Sequence, residues 1–297
     1  ILRCLVGSEM CIRDRRIVSP RHAKKGEYTI RTILYKDIPT PFAVREQICK
    51  LVRWHGLPLW AIEKRDPRKA VISASLVLNT AQLALLAKAD ILGRICEDEG
   101  EQLLKIELFK ELCLEHECYG KARAFASNYG RYLYLNRAAI APDYAPYDDL
   151  KMTVYMMCAL PGSGKDSYIQ RHLNIPVLSL DDIRRAHKIS PSDKKKNGQV
   201  IQLAKAQAKQ WLRAKQDFVF NATNTSRDMR SKWIALFTDY GARVEIIYLE
   251  VPYRTLLKQN HNRKYKVPEM VLEKLIRKLE IPTYEEAHGV SYVAKEL

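Results

Sequence analysis

The chain has 297 residues, enough for about two domains, and 47% of them are hydrophobic, which excludes wholesale disorder. Its formal net charge of +16 favours polyanions such as nucleic acid as partners, with plain solubility as the alternative use of the charge. No apolar run is long enough to cross a bilayer as a helix, so no membrane partner is expected.

The excess charge is uneven. Residues 151–297 hold 26 Lys and Arg against 15 Asp and Glu, whereas residues 1–150 hold 24 against 19. The seven cysteines, Cys4, Cys11, Cys49, Cys96, Cys113, Cys118 and Cys158, form no Cys-x-x-Cys pair. Cys113 and Cys118 share an expected helix but lack a second pair for zinc. Reduced structural thiols in a cytoplasmic protein are the expectation.

The chain begins with Ile. Residues 1–14 resemble a translated sequencing adaptor, and their apolar core is too short for a secretory signal. They are expected to be an artefact, with the authentic protein beginning upstream. From about Pro41 to Asn136 the spacing predicts helices only. Phe42, Val44, Ile48, Leu51 and Val52 mark the first, stopped by Gly56 and Pro58. Apolar faces follow at Val71–Val77, Leu83–Leu92, Leu103–Leu114 and Ala122–Leu135. Residues 15–137 are therefore expected to be an all-α domain. Residues 138–150, with Pro142, Pro146 and several Asp and Tyr, read as a linker.

After the linker the pattern changes class. Thr153–Ala159, Val177–Leu180, Phe218–Phe220 and Val244–Leu249 are short apolar runs that predict strands. Lys165–His172, Gly198–Lys215 and Arg227–Tyr240 predict the helices between them. Strands alternating with helices imply an α/β domain over 151–297, its parallel sheet flanked by helices. Tyr253–Lys278 reads as two helices joined by a basic turn at Asn262–Lys266.

The first strand runs into Leu160-Pro-Gly-Ser-Gly-Lys-Asp-Ser167. Gly162 and Gly164 allow a tight turn that aims backbone N–H groups inward. Lys165 supplies a point charge for β- and γ-phosphates at a helix start. Gly162, Ser163, Gly164, Lys165, Asp166 and Ser167 are thus the candidate nucleotide-binding residues. The match to G-x-x-x-x-G-K-[ST] has two departures. Ala159 stands at the first Gly, and Asp166 replaces the Mg²⁺-binding hydroxyl, with Ser167 one place late. The third strand ends at Asn221, where a second metal-binding carboxylate is usual. Asp166 is the expected replacement as Mg²⁺ ligand.

The second strand ends in Ser179-Leu-Asp-Asp-Ile-Arg-Arg185, beyond the carboxyl edge of the sheet where ligands bind. A kinase for an alcohol needs a carboxylate near the hydroxyl and an arginine for a substrate anion. Asp181 and Arg184 supply both. Helix capping by Ser179 or Asp181 is the alternative. Thr223 and Asn224 are either substrate contacts or turn residues, and Arg227 and Arg230 either functional or solvated cations. Arg263, in the basic turn, is the candidate lid arginine, with a plain surface turn as the alternative.

Gly-Ser-Gly-Lys, Asp-x-x-Arg, Thr-Asn and a lid Arg, in that order, resemble the polynucleotide kinase branch of P-loop phosphotransferases. The Lys-Asp-Ser variant and the ending Lys278–His288 are most similar to bacterial HD-domain polynucleotide kinases, which fuse an HD phosphohydrolase to a kinase. The resemblance covers about residues 20–297. It implies an ATP- and Mg²⁺-dependent 5′-hydroxyl kinase acting on RNA or DNA ends in repair, with an RNA ligase as partner. It further implies that Lys165 binds phosphates, Asp181 is the general base, Arg184 grips the adjacent phosphate and Arg263 belongs to the lid. His22, His55 and Asp90 resemble the later part of an HD domain, with Asp90 as final metal ligand. No His-Asp dipeptide occurs, so that divalent-metal site is expected only in an intact N-terminal domain. A small-alcohol kinase and a nucleotide-gated RNA-binding module without transfer chemistry remain the alternatives.

Overall fold

A computed structural model describes residues 11–13, 16–18, 21–95, 97–190, 193 and 195–295. Most of the expected artefact at 1–14, and Cys4 and Cys96, lie outside these residues. The chain divides into two compact units between Ala126 and Ser127.

In the N-terminal unit a short antiparallel pair, β1 (Cys11–Arg13) and β2 (Arg16–Val18), precedes the helices. Those helices are α1 (His22–Lys36), α2 (Phe42–Trp54), α3 (Leu57–Trp60), α4 (Pro67–Ser75), α5 (Thr80–Leu92) and α6 (Glu99–Glu115). Local chemistry sets their starts. Asp66 accepts from the Lys69 N–H ahead of α4, with Pro67 in the first turn. Asn79 accepts from the Ala81 and Gln82 N–H groups ahead of α5. Val71, Ile72, Leu83, Ile91, Ile106 and Phe109 fill the core. Helix α1 lies upstream of the expected helical range. Its inward face is charged, because Glu27 and Arg31 are buried there. Arg31 bonds Glu46 through Nε (3.1 Å) and Nη2 (2.9 Å) and reaches Glu27 at 2.8 Å. Burial would raise the Glu46 carboxyl, but Arg31 and Arg45 outweigh it and hold it down at about 2. An apolar-spacing rule does not detect a helix that packs through ion pairs.

The C-terminal unit opens with α7 (Asn128–Asn136), capped by Ser127 through the Gly130 N–H. The sequence reading placed this helix in the all-α half. It packs instead on the chain's last segment: Arg131 donates to the His288 carbonyl (2.6 Å), and Asn136 to the Glu285 carbonyl (2.9 Å). Five parallel strands then form one sheet in the order β4-β5-β3-β6-β7. They are β3 (Met152–Ala159), β4 (Val177–Ser179), β5 (Phe218–Asn221), β6 (Ala242–Glu250) and β7 (Gly289–Ala294). The intervening helices are α8 (Lys165–His172), α9 (Leu180–Ala186), α10 (Asn197–Arg213), α11 (Arg227–Asp239), α12 (Tyr253–Asn262) and α13 (Glu269–Arg277).

Helices cover both sheet faces, so the strands are apolar on both sides. Met157, Ala159, Val219, Ile247 and Leu249 pack with Ile169 of α8. On the opposite face Phe220 stacks on Trp233 of α11 at 4.4 Å between ring centroids, and Phe218 meets Phe237 edge-on. Strand β7 lies outside the sequence prediction. Its pattern, Gly-Val-Ser-Tyr-Val-Ala, starts on a Gly and is broken by a Ser, so it lacks the continuous apolar run that marks the inner strands.

Candidate active site

In a parallel sheet, every strand delivers its carboxyl end to the same edge. Strand β3 lies between β5 and β6, so the turn after β3 sits at the crossover point of the sheet, where ligand sites form. That turn is closed by Ser163, whose N–H and hydroxyl both donate to the Leu160 carbonyl, at 3.2 and 2.9 Å. The Ser163 hydroxyl therefore shapes the loop. Gly162 (φ +90°) and Gly164 (φ +88°) both adopt left-handed backbone, which a side chain would strain. Lys165 is the first residue of α8.

Lys165 is half-buried. Burial and the charge of Arg263 lower its pKa below the ordinary lysine value, while Asp166 and Asp181 act in the opposite sense. These charges come from three separate elements. The structure therefore gathers Lys165, Asp166, Asp181 and Arg263 at one edge of the sheet. Such a grouping of anions and cations around a lysine can accept a phosphate chain, a metal ion and a proton from an alcohol.

The residues after β4 divide their tasks. Ser179 is the cap of α9, its hydroxyl accepting from the Asp182 N–H at 3.2 Å. Asp181 does not cap. It is exposed and pairs with Arg184 Nη1 at 2.7 Å. Arg185, on the next position, lies over the ring of Tyr265 in the basic turn at 5.9 Å. The Arg184 Nε is buried with no protein hydrogen-bond partner among the described residues.

On the other side, Asn221 at the end of β5 donates to Asp166 Oδ1 at 2.8 Å. Asp166 and Ser167 are both exposed. This oxygen-rich pair at the head of α8 suits Mg²⁺, which takes one or two carboxylates alongside phosphate and water oxygens.

The loop after β5 is structural. Asn224 is buried in left-handed backbone (φ 48°), and its amide donates to the Met157 carbonyl at 2.8 Å. Arg230, read as a possible solvated cation, is fully buried. It forms a bidentate pair with Glu286 (2.7 and 2.9 Å) and donates to the carbonyls of Asn224 and Glu280. It thus fastens the strand-end loop to the chain's last segment. Sequence alone had one clue: the spacing of Arg230 places it on the apolar face of α11 with Trp233, Ile234 and Phe237, all buried.

In the N-terminal unit His22, His55 and Asp90 line one cavity of about 570 Å³ together with Trp60, Lys64 and Arg94. The His22 and His55 Nε2 atoms are 3.3 Å apart, and the His55 Nδ1 bonds the Val52 carbonyl. Asp90 is bound by Arg94 one turn later, through Nε at 3.2 Å and through Nη2. Among the described residues no group of three His, Cys, Asp or Glu is placed to hold a metal.

Residues 154–282 match the family model described as an AAA domain. The parallel sheet and the Gly-Ser-Gly-Lys turn of the C-terminal unit are the arrangement of a P-loop domain. No curated protein sequence matches the chain. Among solved structures, a candidate kinase from Chloroflexus aurantiacus J-10-fl aligns at 16% identity and TM-score 0.42, over 49% of this chain and 89% of that one. A chain of the Pnkp1/Rnl/Hen1 RNA repair complex aligns at 18% identity and TM-score 0.40, over 47% of this chain and 46% of that one. A gluconokinase from Sinorhizobium meliloti 1021 aligns at 17% identity and TM-score 0.34, over 50% and 83%.

Proposed function

We propose that the C-terminal unit transfers the γ-phosphoryl group of ATP to the 5′-hydroxyl end of RNA or DNA. The observation that carries this reading is the Gly162–Gly164 turn that sets Lys165 at the head of α8, with the Asp181–Arg184 pair after strand β4 at the same edge of the parallel sheet. Gly162 and Gly164 shape the loop that receives the β- and γ-phosphates, and Lys165 balances their charge. Asp166, with Ser167 beside it, would hold Mg²⁺, whose positive charge would offset that of the phosphates. Asp181 accepts the proton of the 5′-hydroxyl as its oxygen attacks the γ-phosphorus. The bond from that phosphorus to the β-phosphate bridging oxygen breaks, and ADP leaves. Arg184 binds the phosphate that follows the first nucleoside, exchanging part of its contact with Asp181 for the substrate anion. Arg263 stabilises charge on the transferring group.

The basic balance of residues 151–297 supports a polyanionic substrate, as does the motif resemblance to polynucleotide kinases. On this reading the N-terminal helical unit is a partial HD domain without phosphohydrolase activity, and an RNA ligase acts on the phosphorylated end. The test is transfer from γ-labelled ATP to matched RNA and DNA oligonucleotides with 5′-hydroxyl ends. Label on either oligonucleotide supports the proposal. Label only on a small alcohol, or hydrolysis without transfer, overturns it.

A further inference from the structure

Asn260 lies in α12 where the basic turn begins, and it is buried. Its side-chain amide donates to the Val267 carbonyl at 2.8 Å and accepts from the Val267 N–H at 3.1 Å. The far end of the turn that carries Arg263 and Tyr265 is thereby tied back to α12 by one side chain. The backbone of Asn260 also accepts from the Arg263 N–H at 3.4 Å. The same residue packs on the phosphate loop. A Cβ built on Gly162 would lie 3.3 Å from the Asn260 backbone nitrogen, 3.3 Å from its Cβ and 3.3 Å from the Leu256 carbonyl oxygen.

Asn260 therefore joins the turn that shapes the phosphate loop to the turn that carries Arg263, whose charge acts on Lys165. The chemistry requires an amide. A carboxylate would accept from the Val267 N–H but repel its carbonyl, and an aliphatic side chain would leave both groups unbonded. We infer that Asn260 is the positioning residue that fixes Arg263 relative to the phosphate loop. The inference rests on the proposed transfer reaction for its catalytic consequence, while its structural content stands apart from it.

The kinetic test compares Asn260→Ala, Arg263→Ala and the double variant in the full chain. Misplacing a catalytic charge costs about 10- to 100-fold in rate. Asn260→Ala should lower kcat by that amount with KM for ATP within about twofold, and the double variant should be no slower than Arg263→Ala alone. Multiplying losses would show that Asn260 does not act through Arg263 and would overturn the inference. A second measurement needs no activity: hydrogen exchange over 263–267, with Asn260→Asp as a milder variant. Exchange should quicken in Asn260→Ala, and less so at the Val267 N–H in Asn260→Asp, which keeps the acceptor. Unchanged exchange in Asn260→Ala overturns the inference even if kinase activity is present. If the wild-type chain phosphorylates no 5′-hydroxyl end, the proposed function falls and the exchange result alone decides the inference.

Discussion

Asn221 Nδ2 donates to Asp166 Oδ1 across 2.8 Å, joining the end of β5 to the first turn of α8. The two departures of this chain from the usual phosphate-loop pattern are therefore in contact. A carboxylate is missing from the strand end and present on the helix start, and the amide left behind on the strand orients it.

If Asp166 serves the metal, Asp166→Ala should raise the Mg²⁺ concentration needed for half-maximal activity and lower kcat. A Mg²⁺ titration at saturating ATP measures both. An unchanged titration with only a small loss of stability would instead mark Asp166 as a favourable charge at a helix start, worth about 0.3–1 kcal/mol.

Lys165→Ala removes a charge that stabilises the transferring group. Its kcat should fall by at least about 10²-fold, the scale of a single electrostatic donor, while the thermal unfolding profile stays in place. Near-normal turnover would refute the phosphate-loop assignment.

Capping and catalysis fall on different residues after β4, so they can be separated. Ser179→Ala removes the α9 cap and should cost about 0.5–2 kcal/mol in stability. Asp181→Asn should leave stability in place and reduce kcat by about 10²- to 10⁴-fold. Paired melting curves and turnover measurements check this. A loss of stability without loss of rate in Asp181→Asn would remove the general base from the scheme.

Arg230→Ala would strand the buried Glu286 carboxylate and take a donor from the carbonyls of Asn224 and Glu280. Breaking a buried pair from one side costs about 3–5 kcal/mol. Denaturant unfolding should show a loss of that order, partly restored when Glu286→Leu is added to Arg230→Met. A loss below about 1 kcal/mol would return Arg230 to the class of ordinary cations.

His288 gives a pH dependence. It is buried, its Nδ1 accepts from the Val244 N–H at 3.0 Å, and Tyr132 stacks on its ring at 4.2 Å. Burial, with Arg243 and Arg131 nearby, depresses it to about 4. Above pH 6.5 the ring is neutral in both folded and unfolded chains, so its contribution is constant. Between about 6.5 and 4 only the unfolded chain takes up the proton, and stability falls with pH by about 3 kcal/mol in all. Below about 4 the loss levels off. His288→Gln, which keeps an acceptor, should flatten that part of the urea-stability profile, and an unaltered slope would exclude His288 as its source.

The legible parts of the fold were those with strong apolar periodicity. Strands β3 to β6 and helices α8, α10 and α11 lie where the sequence pattern predicts them, because both faces of the sheet are dry. The Gly-Ser-Gly-Lys turn was legible because left-handed backbone at two positions demands glycine. Helix α1 was not, since Glu27 and Arg31 turn its inward face into an ion-pair surface. The role of Arg230 was hidden for a related reason: its partner Glu286 lies far along the chain, and local spacing carries no information about it. Of the Thr-Asn pair at 223–224, Asn224 is a structural loop residue, buried in left-handed backbone and bonded to the Met157 carbonyl.

The docking of α7 on residues 284–288 has a consequence for how this chain can be divided or recombined. The visible change of composition near residue 138 invites a cut there, and a fragment starting at Lys151 would look complete by its strands. Either would remove Arg131 and Asn136 from the carbonyls they hold, and Tyr132 from the ring of His288. The first and last segments of the C-terminal unit are each other's cover, so shortening one end uncovers the other. A self-sufficient fragment, or a chimera carrying this unit, needs its junction at Ala126–Ser127, where the Ser127 cap and the whole clasp travel together.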